Sequence, residues 1–151
     1  QETDDGKQVA ARAERVMSRW RIGASAAFND SDAGDRASGA LFGGVRLGPT
    51  SWLAEIDLIS DDVDAGSRDM LAALVEVNWL FARGQNLKLT HEWLEPDSDI
   101  DEDEQTRSSA VYEWWPIEFL QLRVGARLYD GIPQNDLQNR REAFAQLHAY
   151  F

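Results

Sequence analysis

The chain has 151 residues, a formal net charge of −12, no cysteine and two histidines, His91 and His148. This length predicts one domain, and the acidic balance argues against nonspecific nucleic-acid binding, which needs a basic surface to displace counterions. Without cysteine there is no disulfide framework or thiolate metal site, and two histidines do not predict a zinc centre.

No run of about 18 apolar residues is present, so no transmembrane helix is expected. The N-terminus lacks the basic, apolar and small-residue succession of a signal sequence. Neither point excludes a membrane barrel, which needs apolar residues only at alternate strand positions.

In chain order, residues 1–19 form an N-terminal segment with two open readings. "DDGKQVAARAERVMSRW" places Val9, Ala13, Val16, Met17 and Trp20 near one helical face, and its Ala, Arg and Glu content favours a short helix. The same stretch reads as an additional strand with Val9, Ala11, Ala13 and Met17 outward, interrupted by Arg15.

From Trp20 to Phe151 the period is two throughout. Trp20, Ile22, Ala24, Ala26 and Phe28 share a face, followed by Ala37, Gly39, Leu41, Gly43, Val45 and Leu47 opposite Arg46. Trp52, Ala54, Ile56 and Leu58 oppose Glu55 and Asp57; Leu71 to Phe81 in steps of two, including Trp79, oppose Glu76 and Asn78. "NLKLTHEWL" fits less cleanly, with Leu87, Leu89, His91 and Trp93 opposite Lys88, Thr90 and Glu92. Ala110, Tyr112 and Trp114 oppose Arg107, Ser109 and Glu113; Leu120, Leu122, Val124, Ala126 and Leu128 oppose Gln121, Arg123 and Arg127. The last strand sets Ala143, Ala145, Leu147, Ala149 and Phe151 against Glu142, Phe144, Gln146 and His148. The pattern predicts about eight strands.

Three connections are tight ("LGPTS", "ARGQN", "WPIEF"), and they alternate with four longer, acidic ones: "NDSDAGDR", "SDDVDAGSRD", "EPDSDIDEDEQT" and "DGIPQNDLQNRR". Short turns at one end and long loops at the other predict an up-and-down antiparallel transmembrane β-barrel over residues 20–151. Aromatics fall at matching heights. Trp20, Trp52, Phe81, Trp114 and Phe151 lie near the short-turn end with Trp79 one step further in, and Phe28, Trp93 and the inward-parity Tyr129 lie near the other. Such bands are expected where amphipathic rings meet a headgroup boundary.

On these residues the chain resembles the bacterial outer-membrane β-barrel family, whose last strand commonly ends in an aromatic residue preceded by alternating apolar positions. The resemblance implies that Phe151, Ala149, Leu147, Ala145 and Ala143 form the signal read by the barrel-assembly machinery. It places the chain in the outer membrane, with the lipid bilayer as its first partner. "HEWLEPDSDIDEDEQTR" and "YDGIPQNDLQNR" are also similar to C-terminal segments of large proteobacterial barrels, some encoded near multihaem cytochromes. An N-terminal strand would make the count odd and start the chain at the extracellular end, as in the C-terminal part of a larger barrel.

The inward set, Arg21, Arg46, Glu55, Asp57, Glu76, Lys88, Glu92, Arg107, Glu113, Arg123, Arg127, Glu142 and His148, mixes both signs. In a barrel of about eight strands such groups are expected to pair and fill the interior; a water-filled lumen needs more strands. Glu92 with Glu113, or His148 with Glu142, could act as acid and base, but nothing in the sequence fixes their geometry and catalysis is not expected. The acidic run Glu95 to Glu104 could hold a hard cation, yet it lacks the glycine and terminal glutamate spacing of an EF-hand and reads first as a solvated loop. The expected role is structural, anchoring or transport-related. A pore or a sheath around an electron-transfer partner is the alternative, and a soluble lipocalin-like barrel, with the pattern inverted, is the third.

Overall fold

The structure, a computed structural model, describes residues 6–31, 34–63, 66–133 and 135–150. They form nine antiparallel strands in one up-and-down sheet: β1 (Lys7–Val16), β2 (Trp20–Ser31), β3 (Gly34–Leu47), β4 (Thr50–Val63), β5 (Gly66–Ala82), β6 (Gln85–Glu95), β7 (Gln105–Ile117), β8 (Leu120–Asp130) and β9 (Arg141–Ala149). Each strand pairs with its sequence neighbour. Among the described residues β1 pairs only with β2 and β9 only with β8, so the sheet is open between its first and last strands.

The expected N-terminal helix is corrected here: the segment is a strand. Residues 7–16 pair one to one with residues 21–30 of β2. A helix would present an apolar stripe with nothing to bury it, whereas the strand joins Val9, Ala11 and Ala13 to the apolar face through Phe28, Ala26 and Ala24. Arg15, the interruption in the outward set, is opposite Ile22, and its guanidinium lies 5.9 Å from the centre of the Trp20 ring. β2 to β9 are the strands anticipated from Trp20 onward.

Two of the four expected long loops are largely strand. β2 and β3 stay paired out to Ser31 and Gly34, and β4 and β5 out to Val63 and Gly66. Their Asp, Ser and Gly content resembles turn chemistry, but cross-strand charge pairs hold the extensions. Residues 96–104 and 131–140 remain as long connections, so an asymmetry between the two ends persists.

The tight turns follow local backbone demands. Gly48 adopts φ +60° at the first central position between Leu47 and Thr50, and Pro49 supplies the fixed negative φ of the second. Gly84 adopts φ +70°, and a Cβ there would stand 2.8 Å from the Trp115 carbonyl oxygen, whose own N–H donates to the Gly84 carbonyl at 2.8 Å. The stretch "WPIEF" is not the turn itself: β7 runs to Ile117 with a register shift between Trp114 and Ile117, where Pro116 needs no ladder partner.

Candidate functional site

Register settles which residues share a face. Following direct partners across the sheet, Ile22, Gly43, Ala54, Val75, His91, Ser108, Leu128 and Arg141 lie in one row. The next row down the sheet runs Trp20, Val45, Trp52, Val77, Leu89, Ala110, Ala126 and Ala143. All the outward-parity strand residues therefore fall on one side. This side is apolar and open: Leu41 is 62 % exposed, Leu58 61 % and Leu147 68 %. The buried positions, Gly23, Phe42, Asp61, Val111 and Gln121, are all on the other side. A soluble sheet would shelter its apolar side; this one shelters its polar side.

The aromatic residues occupy two levels that drift together. Measured along β5, Trp20 and Trp52 align with Val77, Trp79 is two residues nearer the short turns, and Trp114 aligns through Gln85 with Ala82. At the other level Phe28 aligns through Ala37 and Ser60 with Asp69, and Trp93 aligns with Ala73. Both levels move the same way by about four or five residues, the stagger expected when strands tilt against a band of constant height. From Trp20 to Phe28 the chain covers about 26 Å of strand, or about 20 Å of height at a tilt of about 40°. Phe81 packs between Trp79 and Tyr112, with ring centres 5.5 and 6.1 Å away. Of the expected terminal signal, Ala143, Ala145, Leu147 and Ala149 share the apolar face opposite Ala126, Val124, Leu122 and Leu120; Phe151 lies outside the described residues.

The sheltered face brings the predicted inward charges together, mostly across neighbouring strands. Lys88 Nζ is 2.7 Å from Glu76, which also accepts from Asn78 at 2.7 Å and Thr90 at 3.3 Å. Arg107 donates to both Glu92 oxygens, and Arg127 Nη1 is 3.2 Å from Glu142, which Tyr129 also reaches. Arg123 Nε stands 3.0 Å from Glu113 Oε1 with its N–H aimed elsewhere, so the contact is an ion pair without a hydrogen bond. Arg21 meets Glu14, which also meets Arg12. Glu55, Asp57 and His148 have no such partner among the described residues, and Arg46 reaches only the Gly48 carbonyl. Neither proposed acid/base pair forms: Glu92 and Glu113 each take their own arginine, and Glu142 takes Arg127 rather than His148.

Sequence reasoning missed several inner-face devices. Beyond the level of Phe28, Asp61 is buried between two arginines, accepting from Arg36 at 2.5 and 3.0 Å and from Arg68 at 3.0 Å. Those hydrogen bonds, Arg36 first, hold its carboxyl below the usual range. The three residues lay in stretches read as loops. Phe42 lies across Gly23, where a Cβ would be 2.6 Å from the ring and 2.8 Å from the Ala13 carbonyl oxygen, and Arg12 caps the ring at 4.1 Å. Phe144 covers Gly125 in the same way beneath Arg127, at 4.7 Å. An inward aromatic directly opposite a glycine is the signal that would have found both.

A hollow of about 560 Å³ on the inner face is lined by Glu55, Asp57, Leu74, Glu92, Arg107 and Tyr129, among others. It lies over the stretch where the charge pairs stop. In the loop after β6, Asp103 is buried and approaches Glu95, whose carboxyl is pushed up to about 7 by the hydrogen bond with Asp103 and then by desolvation. Among the described residues no three carboxylate or imidazole groups gather to hold a metal ion. Comparison of the chain with protein-family models, with curated proteins and with solved structures returns no match.

Proposed function

We propose that this chain is an integral protein of a bacterial outer membrane, its nine strands forming barrel wall with a structural, anchoring or transport-related role and no catalytic one. The observation that carries this reading is the inverted burial of the sheet: apolar side chains exposed on one face, paired charges sheltered on the other. A bilayer is the environment in which that arrangement is stable, because lipid covers the apolar face while water and ion pairs occupy the other. The lipid bilayer is then the principal partner, and β9 is the strand offered to the barrel-assembly machinery. The test uses the absence of native cysteine. A fluorescent thiol label at Ile56→Cys, on the apolar face, should be quenched by brominated detergent, and one at Asn78→Cys, on the inner face, should not. Equal quenching at both sites would reject the assignment.

The odd strand number and open edges favour one version of this role, in which the chain is wall for a barrel wider than nine strands, working as a pore or a sheath around an electron-transfer protein. The unpaired Glu55 and Asp57 would then line a wet interior.

A further inference from the structure

We infer that β1 and β9 are completed by an odd number of antiparallel strands from outside residues 1–151, neither by each other nor by a second copy. The inference rests on the membrane-wall reading above.

Nine antiparallel strands leave the first and last running in the same direction. Joining β9 to β1 would create a parallel seam in an otherwise antiparallel sheet. A second copy inserted with the same orientation gives the same result twice, since each β9 would meet a β1 running alongside it. Pairing β1 with β1 would restore antiparallel geometry only by inverting one copy, which would carry its acidic 96–104 loop to the opposite side of the membrane. An odd insertion makes both seams antiparallel.

The edges themselves are suited to pairing. β1 (KQVAARAERV) and β9 (REAFAQLHA) contain no proline, and neither register carries a bulge, so the devices that blunt a free edge are absent from both strands. Every residue of β1 is exposed. In hydrocarbon an open row of N–H and C=O groups is strongly unfavourable, so edges at this depth require partners. The alternation along β1 specifies them: apolar residues beside Val9, Ala11 and Ala13, and polar residues beside Gln8, Arg12 and Glu14.

The experiment pairs cysteines in the full chain in detergent micelles. Ala11→Cys is combined in turn with Ala143→Cys, Ala145→Cys and Leu147→Cys and treated with a short bifunctional maleimide. Val124→Cys with Ala145→Cys, direct partners across β8 and β9, is the control. The expected result is efficient cross-linking of the control, background yield for every edge pair, and amide exchange in β1 at least about tenfold faster than in β3. An intramolecular edge cross-link would overturn the inference in favour of self-closure, and an intermolecular one in favour of a second copy. Failure of the control pair would overturn the sheet on which the inference stands. Brominated-detergent quenching is read on the same samples: if it is absent at the apolar face, the membrane reading itself fails, and if it is present alongside an edge cross-link, only the closure inference fails.

Discussion

The inner faces of the two halves of the sheet are built differently. From β5 to β9 each strand is tied to the next by charge: Glu76 with Lys88, Glu92 with Arg107, Glu113 with Arg123 and Arg127 with Glu142. Between β2 and β4 the corresponding positions are Ser25, Ala27, Ser38, Ala40 and Gly44, with Glu55 and Asp57 unpaired beside them. A one-residue slip in the first region would send charges to the apolar face and separate the pairs. In the second it would expose only small side chains. The paired half thus has its register specified twice, by the apolar face and by charge, and the small-residue half chiefly by the apolar face and by Phe42 seated on Gly23. The same contrast leaves free volume on one side of the interior, where a wider barrel could be hydrated.

If the difference is confined to the inner face, the outer face should treat both halves alike. Leu41→Arg in β3 and Val124→Arg in β8 should each cost about 2 to 4 kcal/mol near a bilayer midplane. The measurement is a folding titration in lipid vesicles. A large cost in one half and tolerance in the other would break the idea of one continuous apolar surface.

Inner-face substitutions should separate the halves. Lys88→Ala leaves Glu76, whose side chain is 13 % exposed, facing Asn78 and Thr90 without its cation, and should cost about 1 kcal/mol after allowance for the lysine's own exposure. Asp57→Ala removes a carboxylate with no partner and should change stability by less than about 0.5 kcal/mol, in either direction. Denaturant unfolding in micelles reads both, and equal costs would remove the distinction between a charge-tied and a small-residue half.

The alternation that assigns faces was legible because the lipid-type pattern needs only one apolar residue in two. It was sustained at the same parity from Trp20 through Trp52, Val77 and Ala126 to Leu147. β1 was not, since Ala, Arg and Glu at residues 10–15 have good intrinsic helix propensity, and the long-range pairing with β2 that overrides it leaves no local trace. The extensions around Asp30, Asp35 and Asp61 were hidden by turn-like composition. The charge pairs were legible as a mixed-sign set but not as pairs, because partner choice follows from register: Glu92 is opposite Arg107 and Glu113 opposite Arg123 only once β6 to β8 are aligned.

The smallest expected effect lies at the strand ends beyond the upper aromatic level, where the halves again differ in how a carboxyl is held. On the β3 to β5 side, Asp61 sits between Arg36 and Arg68 and its pKa is lowered, so its contribution is present at neutral pH and is lost as pH falls through that lowered value. On the β6 to β7 side, Glu95 shares a hydrogen bond with Asp103, and its pKa is raised from an ordinary 4.5 to about 7. The folded state keeps that proton where the unfolded chain has lost it, so this contact weakens as pH rises from about 4.5 to 7 and stays weak above. Raising pH should therefore loosen the 96–104 loop while leaving the Arg36–Asp61–Arg68 cluster intact. Acid should do the reverse. A fluorophore on Ile100→Cys should report a transition with a midpoint near 7 that disappears in the Glu95→Gln background, whereas one on Ser60→Cys should change only in acid. A loop signal that is flat from pH 5 to 8, or a midpoint unmoved by Glu95→Gln, would show that the two carboxyls do not share a proton and that the ends of the two halves are held alike.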